Sequence, residues 1–234
     1  MNRFFYFVAI TVLLSLLLTS CKNEDENKDS SVVSGTIIGE HAQWTEVSAS
    51  FDIGETWAET SPISDKKFSI KLPIPKAEYL ETVQKMVLEQ VINIIPEDFK
   101  NIIEETLINK ISDVIAVDDV NAKGRTALLY VRKEEQKELL SLIGIDGLDV
   151  STSTVQYMYV DNNAKVSGEL DESFEVEGIN VPVKVLFDLQ MNKGWNSVLF
   201  NLGTSLSRDL KITVKTGNAP TYAVWQVVKC DCDE

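Results

Sequence analysis

Histidine is almost missing from this chain of 234 residues, which has only His41. Catalytic and metal schemes that rely on several imidazoles are therefore excluded. The serine-hydrolase motif G-x-S-x-G is also missing, because Ser207 replaces its last glycine in the segment 203–207. These absences favour a protein that is not an enzyme. A hydrolase that uses two carboxylates is the minor alternative, but 36 Asp and Glu residues offer too many pairs to identify one.

Basic residues are scarce relative to acidic ones. Lys and Arg number 22 against 36 Asp and Glu, which gives a formal net charge of −14 at pH 7. Binding to phosphate groups requires a basic surface. The overall charge therefore argues against nucleic acid and against anionic lipid as partners.

Cysteine is also rare, and its three positions are Cys21, Cys230 and Cys232. The last two are separated by one residue in an acidic tail. This thiol pair is compatible with two free thiols, a strained reducible bridge or a link between molecules, and all three stay open. A metal bound there would need further ligands, and His41 is distant in sequence. We therefore predict no metal site at the pair.

Two loops have part of the spacing of a calcium-binding loop. In the segment 119–124, Lys123 replaces an oxygen ligand and Tyr130 stands where the acidic ligand should be. In the loop that begins at Asp161, Val166 replaces the required glycine. Both segments are predicted to be turns, since Asp and Asn tolerate unusual backbone angles.

The long apolar run of the chain is at its start. Residues 4–18 are apolar except for Thr11 and Ser15, follow Arg3, and are too few to span a bilayer comfortably. This pattern predicts an export signal over residues 1–20.

The tetrapeptide Leu18-Thr19-Ser20-Cys21, which ends this region, resembles the lipobox of bacterial lipoproteins. The resemblance implies that the Cys21 thiol carries a diacylglyceryl group, that cleavage occurs before Cys21, and that its new amine is acylated. Two or three acyl chains hold a protein durably on a membrane. No other cofactor is expected.

Residues 21–31 are predicted to be a flexible acidic tether, because residues 22–31 contain no apolar side chain. With the cluster Glu24-Asp25-Glu26, this segment resembles the sorting signal of Bacteroidota outer-membrane and surface lipoproteins. The resemblance implies a lipid-anchored outer-membrane protein displayed at the cell surface, with the periplasmic leaflet as the alternative.

Residues 32–234 are predicted to form a mainly β, sandwich-like ectodomain with a helical insertion, α+β overall. Val47, Ala49 and Phe51 alternate with polar residues, as do the apolar residues of 68–72, which predicts half-buried strands. The strand–loop–strand order over 32–73 resembles carboxypeptidase-regulatory-like β-sandwich domains. Strands recur from Val155 onwards with Gly and Asn turns. Two subdomains, 32–75 and 125–228, are an alternative division.

Between these strand regions, the apolar spacing changes to three and four residues over about 76–115. It predicts a helical hairpin, with helices over 76–95 and from Glu97, whose apolar stripe must be buried on the sheet or on a partner. Residues 133–143 are predicted to be a further helix that ends at Gly144. Short turns at 161–163 and 193–194 predict β-hairpins, and the second turn is similar to one in Bacteroidota lipoproteins.

Candidate ligand-binding residues are Trp44, Trp57 and Glu46. Trp44 falls on the polar side of the alternation in 47–51, and Trp57 lies in an acidic loop, so we expect exposed indoles beside carboxylates. Sugar rings stack on such surfaces. The alternative is that each indole caps the core. Trp195 and Trp225 fall within strands and are predicted to be core residues.

The expected function is that of a membrane-anchored surface lipoprotein that acts as a non-catalytic binding or assembly component. Its partners are the membrane, through the lipid anchor, and an unidentified protein or glycan. A glycan-binding module of a nutrient-capture system is the alternative.

Overall fold

The computed structural model describes residues 31–39, 43–51, 59–95, 97–134, 136–146, 151–176, 179–204 and 209–228. Within these ranges the chain forms fourteen strands and two α-helices. The first part consists of strands β1 Val32–Ile38, β2 Glu46–Ser50, β3 Glu59–Pro62, β4 Lys67–Lys71 and β5 Glu81–Thr82, and helices α1 Val83–Ile94 and α2 Glu97–Val114. The second part consists of β6 Ala116–Val117, β7 Lys123–Lys133, β8 Gln136–Asp146, β9 Ser151–Val160, β10 Ala164–Val176, β11 Ile179–Met191, β12 Gly194–Thr204, β13 Leu210–Thr216 and β14 Val224–Val228.

Seven strands form a ring, which we call the ring half. Their hydrogen-bonded order is β4-β1-β14-β8-β7-β2-β3. A tight turn from Ser64 to Lys67 leads from β3 back to β4, with positive φ at Asp65 and Lys66. The interior, or ring core, contains three tryptophans, Trp44, Trp195 and Trp225, together with aliphatic residues.

The other half of the sheet has the order β9-β12-β13-β11-β10-β6 and curls strongly. Only three residues join Val160 of β9 to Ala164 of β10, so four Cα–Cα steps span at most about 14 Å. In a flat sheet, four strand spacings would separate these strands by about 19 Å. The curl brings the two ends together around a second core.

Strands β9 and β12 form the wall between the two cores. Val155 and Leu199 point into the ring core, whereas Met158 and Phe200 point into the second core. Because successive side chains of a strand point to opposite faces, each wall strand contributes to both cores. The short apolar run at 198–200 follows from this burial on both sides.

Both helices cover the second core, which we therefore call the helix-covered core, in the helix-covered half. Helix α1 begins after Thr82, whose hydroxyl accepts a hydrogen bond from the Lys85 amide. The apolar stripe of α1 is buried here, as are Leu107 and Ile111 of α2. The C-terminal end of α2 crosses so near Gly168 that a Cβ there would collide with the Val114 carbonyl oxygen. Among the described residues, no helix combines the length and hydrophobicity needed to cross a membrane.

The mainly β, sandwich-like prediction with a helical insertion is confirmed. Four local predictions were wrong. The first helix begins at Val83 rather than at residue 76, because Ala77–Tyr79 form a short 3₁₀ turn and Glu81–Thr82 form strand β5. Residues 133–143 contribute to strands β7 and β8 rather than a helix, because β8 pairs with β7, β9 and β14. Strand β13 lies between β11 and β12, so the turn at 193–194 is not a hairpin. The turn at 161–163 likewise joins strands that do not pair.

Candidate functional site

Trp44 is buried, which corrects the expectation that its indole is exposed. Its side chain is 7% exposed and lies in the ring core. It precedes β2, which begins at Glu46, so the alternation from which its exposure was expected does not extend to it. Strand β2 was predicted to be half-buried, and this was wrong. Ser48 and Ser50, on the face opposite to Val47 and Ala49, are also buried.

Glu46 faces Arg132 across the β2–β7 pair and forms an ion pair with it at 3.3 Å. This carboxylate therefore balances a neighbouring cation, and the buried Trp44 offers no stacking surface beside it. Of the other predicted residues, Trp57, His41, Cys21, Cys230 and Cys232 lie outside the described residues. Among the described residues, no exposed tryptophan lies beside Glu46.

Trp195, predicted to be a core residue, is buried at the end of the ring. Its indole stacks on Phe51 with ring centroids 6.2 Å apart and meets Tyr159 edge-on at 5.6 Å. Arg125 donates to the Phe51 carbonyl oxygen and approaches Glu81 at 3.5 Å. Burial raises the pKa of the neighbouring Tyr157 hydroxyl. These contacts close the end of the ring core.

The two loops with partial calcium-loop spacing are turns held by side-chain oxygens. The Asp119 carboxylate accepts from the Asn121 amide, and the Asp161 carboxylate accepts from the Lys123 amide at 2.8 Å. Asp118 accepts from the Lys165 amide at 2.7 Å, and this hydrogen bond is the main reason that the pKa of its carboxyl lies below the ordinary value. Across the described part of the chain, no group of three or more His, Cys, Asp or Glu residues could hold a metal ion.

The outward side chains of β1, β4, β8 and β14 form one surface that has no Asp or Glu, which we call the acid-free face. The strand registers place Val32 opposite Lys71, Ile38 beside Gln226, and Val224 opposite Ile143. Its side chains are aliphatic (Val32, Ile38, Leu139, Ile143, Ile145, Val224, Val228), basic (Lys67, Lys71, Lys137) or neutral and polar (Ser34, Thr36, Ser69, Ser141, Gln226).

Three of these aliphatic side chains are well exposed: Ile145 is 65%, Val32 50% and Ile38 49% exposed. No residue of these four strands belongs to the helix-covered core, so α1 and α2 do not cover the surface. A shallow cavity of about 260 Å³ lies where β1 ends beside β14, lined by Ile38, Gly39, Gln226 and Val227. Val32 and Ile38 lie at opposite ends of β1, and Ser34 and Thr36 lie between them on the same face. The exposed apolar side chains are thus interspersed with neutral polar and basic ones rather than with acids.

The chain enters the fold at the edge of this face. The Ser31 carbonyl oxygen accepts a hydrogen bond from the Leu72 amide, immediately before the exposed Val32. Ile74, which is also exposed, follows two residues after Leu72. The residues that precede the fold, with Cys21 among them, therefore join it beside the acid-free face.

The outward side chains of β10, β11 and β13 form a contrasting surface, which we call the charged face. It carries four acids and four lysines: Glu169, Asp171, Glu175, Asp188, Lys165, Lys184, Lys211 and Lys215. The Lys184 ammonium lies 3.0 Å from Glu169 and 3.1 Å from Asp171, and these hydrogen bonds raise its pKa. This is the usual mixed-charge surface of a protein that faces water.

Sequence reasoning did not find the acid-free face. The alternation in 32–38 and 67–71 shows that the outward positions of β1 and β4 lack acids. Extending this surface to β8 and β14 required two facts that local pattern does not give: that 136–146 is a strand, and that all four strands are neighbours.

Comparison with protein-family models, curated proteins and solved structures finds no match for this chain.

Proposed function

We propose that this protein is a lipid-anchored, non-catalytic binding or assembly component of the outer membrane, displayed at the cell surface, that works by contact through the acid-free face. The observation that carries the proposal is the composition of this face. In a chain with 36 acidic residues, a four-strand surface has seven aliphatic side chains, three lysines and no acid. Folding does not require the absence of acids from an outward surface, because β10, β11 and β13 of the same sheet carry the charged face.

The anchor in this proposal is Cys21, for which the support is the lipobox resemblance. Replacing it in Cys21→Ser should release the protein from membranes, since no acyl chain would then be attached. Membrane fractionation followed by immunoblotting measures the release. Continued sedimentation of the variant with membranes would contradict the anchoring step.

Contact through the acid-free face is tested by cysteine labelling in native membranes. Ser34 on β1 and Ser167 on β10 are both exposed serines that point outward, one on each face, so Ser34→Cys and Ser167→Cys are matched variants. Both are made with Cys230→Ser and Cys232→Ser, so that one added thiol reacts with a polar maleimide.

A contact surface should slow labelling of Ser34→Cys in membranes relative to detergent solution, and it should leave Ser167→Cys unchanged. Equal rates for the two sites in membranes would contradict the proposal. The readout does not depend on the identity of the partner.

A further inference from the structure

We propose that the acid-free face docks on the anionic lipid surface of the membrane that holds the protein. This inference rests on the proposed function and names the partner of that site. The overall charge of −14 argues against anionic lipid as a partner, but the charge is not spread evenly. Lys67, Lys71 and Lys137 are the only charged side chains that the described strands place on the acid-free face.

The chemistry of the face matches a lipid surface in two respects. Each lysine that comes near anionic headgroups raises the ratio of docked to undocked protein by about a factor of five. Transfer of exposed aliphatic side chains such as Ile145, Val32 and Ile38 from water to the boundary between headgroups and acyl chains has a favourable free energy. An acidic side chain would oppose both effects, and none lies here among the described residues.

The covalent connection places the same face near the membrane. Nine residues separate Cys21 from Ser31, so even a fully extended chain carries Val32 no further than about 40 Å from the anchoring residue. Docking is then an intramolecular step with a high effective concentration, and weak contacts suffice for it. A partner protein in solution has no such advantage.

The test uses the full lipidated chain in vesicles of phosphatidylcholine alone or mixed with phosphatidylglycerol. An environment-sensitive fluorophore is attached at Ser34→Cys or at the matched Ser167→Cys, again with Cys230→Ser and Cys232→Ser. We expect a blue shift and quenching by spin-labelled lipid for Ser34→Cys in the anionic vesicles only. Neither change is expected for Ser167→Cys.

Charge-reversal variants test whether the lysines are responsible for docking on anionic lipid. Adding Lys67→Glu and Lys137→Glu should lower the ratio of docked to undocked protein about 30-fold or more, because two attractions are lost. The matched control is Lys211→Glu with Lys215→Glu on β13, which should have little effect. Added salt should weaken docking of the unaltered chain.

A second pair of variants guards against an effect of charge reversal on folding. Ile145→Ser and Leu186→Ser replace exposed aliphatic residues on the acid-free and charged faces, and only the first should reduce docking. Equal emission at both labelled sites, or no dependence on phosphatidylglycerol, would overturn the lipid assignment. If labelling in native membranes still protected Ser34→Cys, the partner would be a protein and the proposed function would stand.

Discussion

The ring half and the helix-covered half bury opposite faces of one continuous sheet, and they do so with different side chains. Among the described residues, the ring core contains three tryptophans, whereas the helix-covered core contains none and is filled by aliphatic side chains and phenylalanines. Their outward faces differ as well. The ring half presents the acid-free face, and the helix-covered half presents the charged face with its Lys184 ion pairs.

Folding requires one buried apolar face on each strand, but it does not specify the composition of the outward face. A strand that is buried on one face can carry charges on the other, and β10, β11 and β13 do so. Strands β1, β4, β8 and β14 bury one face equally well and carry no acid on the other. Stability does not demand this difference, and the proposed contact surface rests on it.

The largest effects should come from the wall between the cores. Phe200→Ala opens a cavity in the helix-covered core and should cost about 3–5 kcal/mol of unfolding free energy, and Leu199→Ala in the ring core about 2–5 kcal/mol. Denaturant unfolding measures both. Only Leu199→Ala should alter the near-ultraviolet dichroism of tryptophan, since Trp195 and Trp225 line the ring core.

The double variant tests whether the two cores are separate. The two side chains point to opposite faces of β12 and belong to different cores but share one stretch of backbone, so we expect a coupling of no more than about 1 kcal/mol. A coupling well above this would show that the two cores respond as one body rather than separately.

Gly35 in the ring half and Gly168 in the helix-covered half both lie at points of close approach. A Cβ at Gly168 would collide with the backbone of Val114, which has little freedom to move, and a Cβ at Gly35 would collide with the indole of Trp225. We expect Gly168→Ala to lower the unfolding free energy by about 3 kcal/mol and Gly35→Ala by about 2 kcal/mol.

Gly203 of β12 is the matched control, since the nearest atoms to its Cβ position lie 3.9 Å away or more. Gly203→Ala should change the unfolding free energy by less than about 0.5 kcal/mol. If Gly35→Ala or Gly168→Ala were equally harmless in urea unfolding, that contact would not be as tight as the geometry indicates.

Local pattern predicted the strands and helices whose burial is simple. The alternation in Phe68–Leu72 and the helical stripe that includes Met86 and Val91 both match the structure. The prediction failed for β8, because Leu139, Leu140 and Ile143 have helical spacing among good helix formers. Pairing with three neighbouring strands overrides that local preference.

Strand order and the candidate site could not be predicted, for a related reason. Short turns favour hairpins, yet the curl of the sheet lets three residues after Val160 connect strands that do not pair. Trp44 shows the same limit, since its burial depends on the ring closing around it. The acid-free face is a property of four strands that lie far apart in sequence, so local pattern gives only its fragments.

The smallest predicted effects concern pH, and they differ between the halves. The Asp118 carboxylate, which follows β6, has a lowered pKa because the Lys165 amide of β10 donates to it. Its contribution to stability is therefore present above the ordinary pKa of aspartate and is lost as the pH falls.

Tyr157 packs against the ring core, and burial raises the pKa of its hydroxyl above 10.0. Because the unfolded chain then ionises first, stability is lost as the pH rises beyond that value.

Asp118→Asn should accordingly flatten the acid limb of a plot of unfolding free energy against pH, and Tyr157→Phe should flatten the alkaline limb. Each variant should leave the opposite limb unchanged, because the two groups lie in different halves and do not share a partner. Denaturant titrations across the pH range measure both limbs. Loss of the alkaline limb in Asp118→Asn, or of the acid limb in Tyr157→Phe, would show that protonation in one half is transmitted to the other.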